Sequence, residues 1–255
     1  MRVPPRASLI AVALVAICLG VPRVTGNDPM LVTDVALLGA LVVWALLVGR
    51  EVLRGRKLGR ALMARSTTSD IAGVRCRVVA GAGRRAFVLG AFRPTIYVSE
   101  RLLVELPSHE LRAVVLHEEH HRRTHGPLRA SALRALRDLA VLSKSARVSL
   151  AERLADLERE ADAFAMGLGT SPTTLAAALV SVDATTTGSA AAFVEHGGRG
   201  IDFGAAGDRR VSALLAADAG GADPAASVPP LEWLLPVAGL VLPLACYLAG
   251  LAPRM

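Results

Sequence analysis

In the stretch VVLHEEHHRRTH, which covers residues 114–125, His117 and His121 are four residues apart and Glu118 directly follows the first of them. The stretch reads as helix, and positions i and i+4 of a helix lie on one face, so His117 and His121 can reach one cation. Zinc suits this pair, because it accepts neutral imidazole and tolerates an open coordination position. Glu118 is offset by about 100° from His117 and can reach a metal-bound water. The spacing therefore predicts a metal site with Glu118 as its general base.

A second pair, His121 and His125, has the same spacing and offers a competing register. Arg122 follows His121 at the position where the first register has its glutamate, so the second register supplies ligands without a base. The apolar stripe of the helix leads into the first register and favours it. Glu119 and His120 are then expected to face away from the site, towards solvent or lipid headgroups.

A third ligand is needed, because hydrolytic zinc sites usually have three protein ligands and one water. The stretch LADLEREADAFAM places Glu158 and Asp162 four residues apart on one helical face, beside small alanines. Glu158 can complete the metal shell, and Asp162 can orient a ligand histidine through its free ring N–H. The alternative is a solvated charged helix, because the segment is rich in i, i+4 charge pairs.

The elements that must position these residues are indicated by turn and cap signals. Short apolar runs broken by glycine and proline predict strands at Val78–Val79, Ala86–Leu89 and Thr95–Val98. Helices are predicted from Ser108 as N-cap to about Thr124, over roughly 128–143, from Ser149 to about Gly167, from Ser171-Pro172 onwards, and around DRRVSALLAA.

Three apolar stretches, residues 7–22, 30–49 and 233–251, stand out in this hydrophobic chain of 255 residues. A helix needs about 20 apolar residues to cross a membrane, a length that the second and third stretches meet and the first nearly meets. Residues 7–22 are expected to be a retained span. The alternative is a cleaved signal peptide, although no good cleavage site follows.

Basic residues follow the second stretch in REVLRGRKLGRALMARS, where Glu51 is the single acid. The positive-inside rule then places residues 50 to about 230 in the cytoplasm. Much of the net charge of +7 lies in this segment, where anionic headgroups attract it. Membrane lipids are therefore expected partners, and direct nucleic-acid binding is not expected. The three cysteines form neither a disulfide framework nor a zinc-binding spacing.

The segments AFVLGAFRPTIYVSERLLVELPSHELRAVVLHEEHHRRTHGPLR, LEREADAFAM and DRRVSALL together resemble the bacterial integral-membrane gluzincin zinc metallopeptidases. The closest group is the peptidase module of the β-lactam sensor-transducers, and the HtpX-type and CAAX-prenyl endopeptidases are more distant. The resemblance implies that His117, His121 and Glu158 bind Zn²⁺, with Glu118 as base and Asp162 in support.

The resemblance also implies that the strand near Ile96–Ser99 is a sheet edge that receives an extended peptide substrate. Arg210 matches a recurrent arginine of the family that could steady the oxyanion. His196 is a second candidate, although its glycine-rich surroundings are typical of an ordinary loop. A transcriptional repressor as substrate is implied by family analogy alone. β-lactam sensing is not expected, because no drug-binding domain follows the last apolar stretch.

The expected fold is a mainly α membrane protein in which transmembrane helices flank a cytoplasmic α+β gluzincin-like peptidase domain with a small β-sheet. The expected domains are a transmembrane helix and outer loop in 1–29, a second transmembrane helix with a basic extension in 30–66, the peptidase domain in 67–230, and a C-terminal transmembrane helix in 231–255. The expected location is the bacterial inner (plasma) membrane, with several spans and the active site on the cytoplasmic side.

The predicted activity is that of a membrane-embedded zinc metalloendopeptidase acting on cytoplasmic or membrane-proximal proteins. One alternative is a catalytically inactive membrane signalling protein with a structural zinc site. Another is a metal or pH sensor that uses the surplus His109, His120 and His125. Glu118 favours the enzyme, because neither alternative needs a base beside the ligand pair.

Overall fold

The computed structural model describes residues 29–140, 143–183, 201–202 and 207–218. The helices in these residues are α1 Pro29–Met63, α2 Glu100–Glu105, α3 Ser108–Arg123, α4 Gly126–Leu139, α5 Lys144–Gly167, α6 Pro172–Asp183 and α7 Gly207–Asp218. The strands are β1 Ser66–Ile71, β2 Val74–Val79, β3 Ala86–Leu89, β4 Thr95–Ser99 and β5 Ile201–Asp202. The described part of the chain is thus an α+β arrangement.

The strands form one mixed sheet in the order β1-β2-β4-β3-β5. β2 and β4 run parallel, and the other neighbours are antiparallel. β1 and β2 are joined through Ala72 and Gly73, whose φ angles are 55° and 77°. Two successive residues with positive φ form the type of tight turn that matches the twist of a hairpin. This hairpin was not predicted from the sequence.

The strand near Ile96–Ser99, which the resemblance placed at a sheet edge, lies inside the sheet. β4 pairs with β3 from Thr95 to Val98 and with β2 from Tyr97 to Ser99. The backbone groups that an added peptide strand would need are therefore already bonded on both sides of Tyr97 and Val98. The expectation that this strand is a peptide-binding edge, which came from the resemblance, is wrong, because β4 has a hydrogen-bonded neighbour on each side.

The sheet is covered on both faces, which explains the unbroken apolar runs of β3 and β4. Alternate side chains of the two strands point to opposite faces. On one face, Ala86, Val88, Ile96 and Val98 join the main core with residues of α3 and α6. On the other face, Phe87, Leu89 and Tyr97 pack with Leu58 and Leu62 of α1. Tyr97 Oη also donates a hydrogen bond to the carbonyl oxygen of Gly59, at 3.3 Å.

The main core continues through the helices that carry the candidate site. The buried segment Ala113–Leu116 of α3 packs with Leu175 and Leu179 of α6 and with Leu214 of α7. Full burial of one such aliphatic side chain contributes roughly 1.5–3 kcal/mol to stability. This apolar packing fixes α3 immediately before His117.

The predicted helix boundaries are partly confirmed. α6 begins after Ser171, whose Oγ accepts a hydrogen bond from the backbone N–H of Thr174 at 3.0 Å. α5 begins earlier than the predicted Ser149, because Ser143 caps it by accepting a bond from the N–H of Ala146 at 3.2 Å. α3 spans nearly the predicted range, but its N-cap is Pro107 and not Ser108.

Among the residues that the structure describes, no helix combines the length and the apolar character that crossing a membrane demands. For these residues, the finding contradicts the prediction of a mainly α membrane protein with flanking transmembrane helices. The predicted span at 30–49 belongs to α1, in which Trp44 donates a hydrogen bond to the carbonyl of Ala132 at 3.1 Å. Leu58 and Leu62, further along α1, pack on the sheet. The predicted spans at 7–22 and 233–251 lie outside the described residues.

The chain divides into two compact units. One unit contains residues 50–131 and 155–227, and in its described part it holds the sheet and the predicted site. The described residues of the other unit are 29–49, 132–140 and 143–154. A small apolar cluster of the second unit is formed by Ala140, Ala146 and Leu150, with Leu133 and Leu136 packed against it.

Candidate metal centre

The two histidines of the first register face each other across one turn of α3. The Nε2 atoms of His117 and His121 are 3.1 Å apart. Their rings lie edge to face, with centroids 4.8 Å apart and an interplanar angle of 79°. Both side chains are buried, as is Glu118 beside them. The helical spacing thus brings two imidazole nitrogens together in a site removed from solvent.

Glu158 of α5 supplies a third donor to this pair. Its Oε2 lies 3.4 Å from Nε2 of His117, and its Oε1 lies 3.7 Å from Nε2 of His121. A four-coordinate ion with bonds of about 2.0–2.2 Å separates its ligands by about 3.3–3.6 Å. His117, His121 and Glu158 therefore form a buried group that could hold a metal ion.

Asp162 lies one turn further along α5 and contacts the far side of the His117 ring. Nδ1 of His117 donates to Oδ1 of Asp162 at 2.9 Å. A proton held on Nδ1 leaves the lone pair of Nε2 directed at the other two donors, which is the tautomer that a metal ligand needs. The structure thus brings Asp162 to the place where it can orient a ligand histidine.

The small residues of α5 allow this close approach. Ala161 and Ala165 are fully buried, and Glu158 and Asp162 are only 6 % and 4 % exposed. Their neighbours Arg159 and Glu160 are exposed. The alternative reading of this segment as a solvated charged helix is therefore wrong for the face that carries Glu158 and Asp162, and correct for the opposite face.

Arg210 of α7 contacts the carboxylates of Asp162 and Glu158. Its Nε and Nη2 donate to the two oxygens of Asp162 at 2.9 and 2.5 Å, and its Nη1 donates to Oε2 of Glu158 at 3.2 Å. Arg210 is 5 % exposed. The arginine is thus at the centre, as the resemblance implied, but its three donor nitrogens contact carboxylates. This placement does not suit the expected contact with an oxyanion of the substrate.

The buried charges shift each other's protonation. Burial and the Arg210 guanidinium act to lower the pKa of His117, but hydrogen bonds to Asp162 and Glu158 outweigh them and raise this pKa to about 9. Burial lowers the pKa of His121. Burial acts to raise the pKa of Glu158, but the hydrogen bonds to both histidines hold it well below its usual range. The carboxylate is therefore ionised, and a cation at the centre would displace the proton of His117.

The surplus histidines do not join this group. His109 is exposed at the start of α3. His120 is partly buried, and its Nε2 lies 3.9 Å from Oε2 of Glu160. His125 has a φ of 52°, and its Nδ1 donates to the carbonyl of Ala91 at 3.0 Å. The competing register of His121 and His125 is therefore not the one that the structure assembles. His196 lies outside the described residues.

Glu119 was predicted to face solvent, but it is 2 % exposed. Its carboxylate accepts hydrogen bonds from Nε and Nη2 of Arg122 at 2.5 and 2.6 Å, and from Nε of Arg123 at 2.7 Å. The prediction was wrong because the two arginines, three and four residues on, satisfy the charge as it is buried. The spacing of Glu119 from Arg122 and Arg123 is visible in the sequence and could have indicated these ion pairs.

The comparisons with protein-family models, with curated proteins and with solved structures each found no match for this chain. The chemistry of the centre is therefore inferred from its own residues and their geometry.

Proposed function

We propose that the chain is a zinc-dependent metalloendopeptidase with His117, His121 and Glu158 as metal ligands and Glu118 as general base. The observation that carries the proposal is the set of donor separations of 3.1, 3.4 and 3.7 Å, with a buried glutamate directly after the first histidine. Two imidazoles and one carboxylate are the ligands of a known class of hydrolytic zinc site.

The donor set favours zinc over other biological cations. Magnesium and calcium prefer shells made of oxygen, whereas two of the three donors here are imidazole nitrogens. Zinc with three protein ligands keeps one position for water, lowers the pKa of that water towards about 7 and polarises a carbonyl group. The residues of this chain fit such an ion.

Glu118 supplies the proton transfer in this proposal. It follows His117 on α3, so helical periodicity turns its side chain by about 100° from that ligand and towards the water position. Burial acts to lower the pKa of Arg210, but the hydrogen bond and charge of Asp162, the charge of Glu158 and, as the smallest contribution, the charge of Glu118 raise it. Glu118 would accept a proton from the attacking water and deliver it to the leaving amine.

A structural zinc site in an inactive protein is the main rival. A structural site needs no general base. Burying a carboxylate costs stability, so a buried glutamate beside the ligands is not expected at a purely structural site. Glu118 is fully buried, which favours the enzyme. A sensor built on His109, His120 and His125 is less well supported, because these three side chains lie apart from the ligand group. A repressor substrate remains a prediction that rests on the resemblance, and the location in the bacterial inner membrane remains a prediction that rests on the apolar stretches and the basic segment.

The experiment compares zinc content and proteolysis in wild type, Glu118→Gln and Glu158→Ala. An unstructured protein such as casein serves as substrate. We expect Glu118→Gln to retain zinc and lose cleavage, because the ligands are intact and the base is gone. Glu158→Ala should lose both. Glu160→Gln, an exposed residue of the same helix, is the control and should keep both. Cleavage by Glu118→Gln at the wild-type rate would overturn the mechanism.

A further inference from the structure

We infer that Arg210 is a positioning residue, which holds the ligand Glu158 and the histidine partner Asp162 in the geometry that binds the metal. The inference rests on the proposed function of the centre and adds to it a residue from a distant part of the chain. Its basis is that one guanidinium donates hydrogen bonds to both carboxylates.

The contact with Asp162 is bidentate. Nε and Nη2 of Arg210 reach separate oxygens of this carboxylate, so the planar guanidinium fixes its orientation as well as its position. Oδ1 of Asp162 also accepts the bond from Nδ1 of His117. Arg210 therefore sets the orientation of the His117 ring indirectly, by fixing Asp162.

The contact with Glu158 acts on a ligand directly. Nη1 of Arg210 bonds Oε2 of Glu158, the oxygen that lies 3.4 Å from Nε2 of His117. A glutamate side chain has several rotatable bonds, and fixing it in one rotamer costs conformational entropy. The bond from Arg210 restricts Glu158 before a metal ion arrives, so less of that cost falls on metal binding.

The formal charges support the same role. Glu118, Glu158 and Asp162 are buried together with the Arg210 guanidinium. Three carboxylates and one guanidinium leave two negative charges when the histidines are neutral, and a divalent cation balances them. Without Arg210 the three buried carboxylates and a divalent cation would leave one negative charge unbalanced, and an unbalanced buried charge is costly.

The position of Arg210 on α7 makes the contact rigid. Leu214, one turn after Arg210, is 3 % exposed and belongs to the main core together with Leu175 and Leu179 of α6. A helix fixed by such packing holds its side chains more precisely than a loop does. α7 thus supports the metal centre by holding Arg210 in place.

The test measures zinc affinity by competition with a chelator in wild type, Arg210→Met and Arg210→Lys. We expect Arg210→Met to bind zinc about 10–100-fold more weakly, the usual effect of removing a residue that supports a ligand. Lysine should not restore the affinity, because one ammonium cannot span both carboxylates as the guanidinium fork does. Arg129→Met is the matched control, because Arg129 pairs with the exposed Glu160, and its affinity should equal that of wild type.

Zinc affinity and kcat, measured on the same variants, separate this role from contact with the oxyanion. A residue that steadies the oxyanion would lower kcat and leave zinc affinity unchanged. Wild-type affinity, within twofold, in a folded Arg210→Met protein would therefore overturn the inference. Circular dichroism reports whether each variant is folded, and if Arg210→Met does not fold, Arg210→Lys decides by the same criterion.

A double variant tests whether the two residues act as a unit. If Arg210 acts largely through Asp162, the loss of zinc affinity in the double variant Arg210→Met/Asp162→Asn should be smaller than the product of the losses in the two single variants. Fully multiplicative losses of zinc affinity would contradict that coupling.

The behaviour of the wild type distinguishes the two proposals. A wild-type protein that binds zinc but cleaves nothing would refute the proposed peptidase, while the affinity comparison would still decide the role of Arg210. A wild type that binds no zinc would refute both.

Discussion

Asp162 contacts the ring of His117 on the side opposite His121 and Glu158, with Oδ1 2.9 Å from Nδ1. Nε2 of the same ring lies 3.1 Å from Nε2 of His121 and 3.4 Å from Oε2 of Glu158. A single hydrogen bond thus favours the proton on Nδ1 and leaves Nε2 facing the other two donors of the candidate metal group. This hydrogen bond joins α3 and α5 through two residues that are 45 positions apart in the sequence.

The first prediction concerns the charge of Asp162. Asp162→Asn keeps the size of the side chain but removes the negative charge that makes His117 a stronger ligand, so zinc affinity should fall by about 10–100-fold. Chelator competition measures this change. Asp156→Asn is the control, because Asp156 lies on the same helix and pairs with Arg159 away from the centre. Unchanged affinity in Asp162→Asn would show that the hydrogen bond to His117 does not support the metal.

The members of the group that could hold a metal ion could be predicted from the sequence, because the spacing that brings them together is local. His117 and His121, and likewise Glu158 and Asp162, are i, i+4 pairs, and helical periodicity alone places each pair on one face. That these two faces meet depends on the packing of two helices, which the small Ala161 and Ala165 indicated and the donor distances now show. The metal that binds and the reaction remain proposals.

The order of the strands and the environment of α1 could not be predicted in this way. An apolar run such as TIYVS indicates burial, but the pairing of β4 with both β2 and β3 is decided by distant segments. The apolar composition of α1 likewise does not report its surroundings, because Leu38, Leu41 and Leu46 are exposed whereas Leu58 and Leu62 pack on the sheet. Arg210 illustrates a third limit, because its partners Asp162 and Glu158 lie about 50 residues away.

The second prediction concerns His125, which ends the turn after α3 with a φ of 52° and donates to the carbonyl of Ala91. His125→Val should lower the free energy of unfolding by about 1–2 kcal/mol, because a β-branched residue is strained at positive φ and the hydrogen bond is lost. His125→Gly should cost less, because glycine adopts this backbone freely. Urea unfolding of the two variants measures the difference.

Zinc affinity provides the control for His125, because its side chain is not part of the ligand group. Both variants should bind zinc as wild type does. A loss of zinc in His125→Gly, in a protein that remains folded, would instead support the competing register of His121 and His125.

The third prediction concerns the thiol of Cys76, which is 1 % exposed in β2. Burial, with a smaller contribution from the charge of Glu119, raises the pKa of this thiol to about 12. Iodoacetamide at pH 8 should therefore leave Cys76 unmodified in the folded protein and alkylate it in denaturant. Mass spectrometry of the peptide that contains Cys76 measures both. Rapid alkylation of the folded protein would contradict the described packing of β2.

The same shift has a consequence for stability at high pH. The unfolded thiol ionises near its ordinary pKa of 9.0, whereas the folded thiol resists ionisation up to about 12. The free energy of unfolding should therefore fall as the pH rises through this interval, because only the unfolded state releases the proton. Cys76→Ala should remove this part of the pH dependence, and a wild-type curve that matches the variant would contradict the raised pKa.

The most direct test of the metal centre is the position of zinc in crystals of the zinc-loaded protein. Anomalous diffraction at the zinc edge should show one strong peak, bonded at about 2.0–2.2 Å to Nε2 of His117, Nε2 of His121 and a carboxylate oxygen of Glu158. A peak held by other residues, or a zinc-loaded crystal in which Glu158 stays out of bonding distance, would contradict the proposed centre.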